Sequence, residues 1–112
     1  MATYLTIGNA DPTTSAQVSV YIAGQFKASY TIPVGGRVTP TYDNVNNGPV
    51  QVISTSGTKI IASERAYRNV ANLTDFNEML GFPANQLTTE YWFPLYNNNS
   101  FMATYLTIGN AQ

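Results

Sequence analysis

Met1-Ala2-Thr3-Tyr4-Leu5-Thr6-Ile7-Gly8-Asn9-Ala10 recurs letter for letter at Met102–Ala111. Ten identical residues at one fixed offset mark an internal repeat. The chain therefore reads as one module, residues 1–101, followed at 102–112 by the first strand of the next. The decapeptide alternates. Thr3, Leu5 and Ile7 fall on one side; Ala2, Tyr4 and Thr6 fall on the other. That is the period of a β-strand, and Gly8-Asn9 closes it with turn chemistry. One module has one place for such a strand, yet the chain carries two.

The same alternation continues along the chain. Val18, Val20 and Ile22 share one side of residues 16–23. After a tight link at Gly24-Gln25, residues 26–32 place Phe26, Ala28, Tyr30 and Ile32 together, which makes a hairpin. Pro33-Val34-Gly35-Gly36 is a turn. Residues 37–42 form a shorter strand with Val38 and Tyr42 inward, and Pro40 restricts it to an edge or a bulge. Residues 49–54 follow, with Val50 and Val52 on one side. Residues 59–67 fit two phases. In the first, Ile60, Ala62 and Ala66 face in and carry Glu64 with them, a carboxylate that calls for a partner such as Arg37 or Arg68. In the second, Ile61, Ser63 and Arg65 face in.

Residues 68–86 are the long irregular segment. Within it, Asp75 with Glu78 three residues on, and Gly81 behind, matches a short capped helical turn. Phe76, Met79 and Leu80 then share a face and form a plug over one end of the core. Residues 87–93 alternate as a strand, with Tyr91, Trp92 and Phe93 pairing in a hairpin with the second copy of the opening strand. One period thus holds about seven strands. The expected fold is an all-β antiparallel sandwich of immunoglobulin-like architecture, with one short helical turn in the loop 68–86.

Composition excludes much chemistry. The chain has 112 residues, of which 44% are hydrophobic and only 10% charged, with a net charge of −1. No basic run suits a phosphate backbone, so nucleic acid is not an expected partner. There is no Cys and no His. That removes thiolate sites, the Cys nucleophile, and the commonest general base and transition-metal ligand. Asp43-Asn44-Val45-Asn46-Asn47-Gly48 resembles a calcium loop in its oxygen donors, but Val45 occupies a ligand position, and an Asx-type turn is the better reading. Glu64 and Glu90 lie on different expected strands, and their reading as a glycosidase pair is weaker than as solvated or paired carboxylates. No catalytic residue, cofactor or metal site is expected, and the chain reads as no enzyme. Asn72-Leu73-Thr74 and Asn98-Asn99-Ser100 match glycosylation acceptors. No apolar run is long enough to insert in a membrane. No signal peptide follows Met1, so a secreted parent would carry its signal outside this fragment.

Asn85-Gln86-Leu87-Thr88-Thr89-Glu90-Tyr91-Trp92-Phe93-Pro94, with the Asn-rich turn after it and Ser63-Glu64-Arg65 ahead of it, resembles tandem β-sandwich modules of long bacterial surface or secreted proteins. The resemblance implies a structural or adhesive role, outside the cell or at its surface, and transfers no catalytic residues. Two functions follow. In the first, the chain assembles with itself by strand sharing, through Met102, Thr104, Tyr105, Leu106 and Ile108. In the second, Trp92 and Tyr96 form an aromatic platform for glycans.

Overall fold

The computed structural model describes residues 2–71, 73–94, 96, 98 and 108–110. It divides into two compact units, Met1–Gly81 and Phe82–Gln112. Among the described residues the first unit holds seven strands: β1 (Ala2–Asn9), β2 (Ala16–Ile22), β3 (Gln25–Ile32), β4 (Arg37–Val38), β5 (Val50–Ser54), β6 (Ile60–Val70) and β7 (Leu73–Leu80). They form two antiparallel sheets, ordered β4-β1-β6-β7 and β3-β2-β5. The expected β-sandwich is the fold found.

The core lies between the sheets. Leu5 and Ile7 of β1 pack with Ala16, Val18 and Val20 of β2 and Ile32 of β3. Each of the buried Leu, Ile and Val side chains contributes about 1.5–3 kcal/mol relative to exposure. Val38, Tyr42, Val50, Val52 and Ile60 pack around this cluster, half-buried. The Tyr42 hydroxyl lies 3.1 Å from that of Tyr30. Burial, then this hydrogen bond, raises the Tyr42 phenol above its ordinary value of 10.0.

The turns follow local chemistry. Ala23 and Gly24, both at positive φ, link β2 and β3 in the manner that hairpin twist demands. Gly35, at φ +67°, lets Gly36 N–H donate to the Pro33 carbonyl at 2.9 Å. Phe26 departs from the side it is expected to share with Ala28, Tyr30 and Ile32. An irregularity between Val20 and Tyr21 pairs Val20 with Ala28 but Tyr21 with Phe26, so Lys27 is an extra residue. A β-bulge reverses the facing of what lies beyond it. Phe26 is accordingly exposed and meets Tyr21 edge-on, ring centroids 5.6 Å apart.

β6 takes the first of its two phases. Leu5 pairs with Glu64 and Ile7 with Ala62, so Ile60, Ala62, Glu64 and Ala66 share the inner face. Glu64 acquires neither Arg37 nor Arg68. It is half-buried and lines a small cleft of about 130 Å³ with Thr3, Leu5, Tyr42 and Asn46. The ion pair among the described residues joins Arg65 to Glu78 at 3.1 Å.

The segment after β6 corrects the sequence reading most. Residues 75–80 are not helical; they belong to β7, which pairs with β6 from Val70↔Leu73 to Ser63↔Leu80. The reason is tertiary. β6 offers a full unpaired edge immediately upstream, and the turn at Ala71 (φ 51°) folds the chain back onto it. The pairing also sets Glu78 opposite Arg65 and Asp75 opposite Arg68. Ladder bonds and the Arg65–Glu78 ion pair outweigh a weak helical preference. Phe76, Met79 and Leu80 are therefore exposed on β7 rather than plugged into the core. The helical turn of the 68–86 segment lies later, as a 3-10 turn at Ala84–Gln86.

Candidate functional site

The candidate site is the slot occupied by β1. It is a central position, bounded by β4 on one side and β6 on the other. β6 pairs with β1 along its whole length, from Ala2↔Tyr67 to Asn9↔Ile60. The β4 side is looser, with Ile7↔Val38 and Gly8↔Arg37 in the ladder and a bridge at Tyr4↔Thr41. Leu5 N–H donates to the Pro40 carbonyl and Asn9 N–H to the Gly36 carbonyl, each at 3.0 Å. The Thr41 hydroxyl donates to the Thr3 carbonyl at 3.0 Å.

Side chains make the slot specific. Ile7 is 0% exposed. Asn9 is buried, and its amide donates to the Thr14 carbonyl at 2.8 Å and the Ile32 carbonyl at 3.1 Å. Its side-chain oxygen accepts from Asp11 N–H at 2.9 Å. Buried polar groups require such partners, so the slot accepts an amide at this place and little else. Asp11 then organises the exit loop. Its carboxylate accepts from the backbone N–H groups of Thr13 and Thr14, both at 2.9 Å. These bonds hold the Asp11 carboxyl below its ordinary value of 3.8. At Gly8, a β-carbon would stand 3.2 Å from Ile61 Cγ2.

The second copy is different where it is described. Met102, Thr104, Tyr105 and Leu106 lie outside the described residues. Ile108 is described, and it is 91% exposed. Identical decapeptides therefore hold one isoleucine in the core and one almost fully in solvent.

Residues 87–94 carry no strand. The expected hairpin of Tyr91, Trp92 and Phe93 with the second copy has no strand on its aromatic side; of the second copy, residues 102–107 and 111 lie outside the described residues, and 108–110 carry no strand. Local bonds take the place of a ladder. Thr88 N–H donates to the Tyr91 hydroxyl at 3.2 Å, and Tyr91 packs edge-on against Phe82 at 6.0 Å. Trp92 is 87% exposed, and Phe93 and Tyr96 are exposed too. Glu64 belongs to the first unit and Glu90 to the second. Of the acceptor tripeptides, Leu73, Thr74 and Asn98 are described; Asn72, Asn99 and Ser100 are not. Among the described residues, no group of three acidic side chains is placed to hold a metal ion, and no helix is long and apolar enough to cross a membrane.

Comparison of the chain with protein families, with curated proteins and with solved structures returns no match.

Proposed function

We propose that this chain is a non-enzymatic structural module of an extracellular array or fibre, joined to its neighbours by sharing the repeated strand. The observation that carries this reading is the contrast between Ile7, buried, and Ile108, exposed, within identical decapeptides. A strand whose apolar face is made for burial, and which is supplied in excess over the places for it, is a connector. The low charge content suits a module that packs against copies of itself, because few charges must be desolvated. The test compares the full chain with a chain lacking residues 102–112 by light scattering over a range of concentrations. The full chain associates and the shortened chain does not. Equal masses at every concentration would remove strand sharing.

A second reading rests on Trp92. A tryptophan 87% exposed, with Phe93 and Tyr96 exposed nearby in sequence, suits stacking against sugar rings. Binding on a glycan array that is lost in Trp92→Ala supports it; an array without binding removes it.

A further inference from the structure

We infer that the slot between β4 and β6 is itself the receiving site for the second copy, residues 103–110. The two identical strands thus exchange at one central position rather than adding to a sheet edge. The inference deepens the strand-sharing reading and rests on it.

The slot recognises β1 through three side chains and one bare Cα: Leu5, Ile7, Asn9 and Gly8. The second copy presents Leu106, Ile108, Asn110 and Gly109 at the same spacing. Backbone bonds on both flanks are blind to which copy supplies them. The slot therefore has no means of telling the copies apart except through the chain that tethers them. β1 is tethered to β2 by the short loop between Asn9 and Ala16. The second copy is tethered to β7 by the longer segment between Leu80 and Ala103. Loop closure favours the shorter tether by only about sevenfold.

The longer tether also reaches. β7 and β1 both run antiparallel to β6, and Leu80 and Thr6 both pair with Ser63. To enter the slot opposite Tyr67, the second copy must return four residues along the sheet, roughly 13 Å, and cross two strand spacings, roughly 10 Å. The tether can extend to roughly 70 Å. A neighbouring molecule's second copy meets the same slot with no tether at all, so its occupancy rises with concentration.

The chain has no native cysteine, which permits a direct trap in the full-length protein. Thr6 pairs with Ser63, and Thr107 is the counterpart of Thr6. The variant carries Ser63→Cys and Thr107→Cys, with Leu5→Asp and Ile7→Asp to disable the first copy. The expected result under mild oxidation is a disulfide linking positions 63 and 107, together with a cooperative urea transition. A control with Thr6→Cys and Ser63→Cys in the otherwise native chain forms its own bridge. A second control adds Leu106→Asp and Ile108→Asp, and it loses both the bridge and the transition. Either an intramolecular or an intermolecular 63–107 bridge supports the slot. The intermolecular product also supports assembly, whereas an intramolecular product at every concentration removes strand sharing between molecules and leaves the slot standing. No 63–107 bridge while the Thr6 control forms one overturns the inference. So does a variant that unfolds as fully as the four-aspartate control.

Discussion

Truncating one buried isoleucine should cost far less than its burial implies, because its twin can replace it. Ile7 is fully buried between the sheets, and Ile→Ala at such a place costs about 3 kcal/mol. In Ile7→Ala, however, the slot can take the intact second copy instead. The longer tether then costs about 1 kcal/mol in loop closure. The lower-cost route sets the measured loss, so Ile7→Ala should destabilise by only about 1 kcal/mol. Ile108→Ala should lie within about 0.5 kcal/mol of the parent, since that side chain is exposed. The double variant leaves no intact copy and should lose about 3 kcal/mol. The excess over the two single variants is a coupling of about 2 kcal/mol between residues that are neighbours only in the slot they compete for. Ile32→Ala supplies the reference. It is as fully buried as Ile7 and has no twin, so it should show the full loss of about 3 kcal/mol. Urea unfolding at equilibrium, in dilute solution and with a common m-value, measures all four. If Ile7→Ala alone costs as much as the double variant and as much as Ile32→Ala, the exchange argument is refuted.

Three further expectations concern the loop, the surface and the second unit. Asp11 has its folded pKa lowered below the unfolded value of 3.8, so its stabilising effect is fully present above that value and is lost as pH falls through the folded pKa. The stability difference between the parent and Asp11→Ala should therefore be constant near neutral pH and shrink below about pH 4; a difference that persists unchanged to pH 2 contradicts the assigned backbone hydrogen bonds. Arg65 and Glu78 are about half exposed and joined by one contact, so Glu78→Gln should change stability by less than about 0.5 kcal/mol, as read by urea midpoint in low salt. Trp92→Ala should leave the unfolding midpoint of the first unit unchanged within the same margin, because the ring is almost fully solvated; a large loss by calorimetry would assign Trp92 a packing role.

The strands from β1 to the start of β6 were legible because burial and alternation coincide there. Val18, Val20 and Ile22 face the core as their spacing implies, and so do Leu5 and Ile7. The inner phase of β6 was legible as one of two options, and pairing with Leu5 and Ile7 selects it. Phe26 was not legible, since a bulge at Lys27 leaves no local signal in an alternating run. β7 was not legible either. Its Phe76, Met79 and Leu80 are exposed, so no burial pattern marks the strand, and the Asp75/Glu78 spacing that suggests a helix cap serves cross-strand pairing with Arg68 and Arg65 instead. The strand expected at 87–93 failed for the opposite reason. Alternating aromatics imitate a half-buried strand, but Trp92 and Phe93 stand in solvent. The slot was legible only as a question. The repeat announces two strands for one place, and only the sheet order shows that the place is central.

That central position separates two routes of assembly by their kinetics. A strand adding to an edge needs an open, unguarded edge, and each edge here carries a guard. β4 is two residues long and is followed by Pro40. β3 carries the Lys27 bulge. β5 begins directly after Pro49. β7, as long as β3, carries Asp75 and Glu78. Charge, proline and bulges are the means by which sheets resist edge pairing. Exchange at the slot instead requires β1 to leave, breaking its pairing with both β4 and β6 and exposing Leu5, Ile7 and Asn9. That is a local unfolding step, and it precedes any encounter. The assembly rate should therefore reach a plateau as protein concentration rises, and the plateau should equal the opening rate of β1 read from hydrogen exchange at Leu5 and Ile7. Edge addition has no such step, and its rate would climb in proportion to concentration. Stopped mixing with light scattering distinguishes the two, and a rate linear in concentration beyond the β1 opening rate would place the junction at an edge.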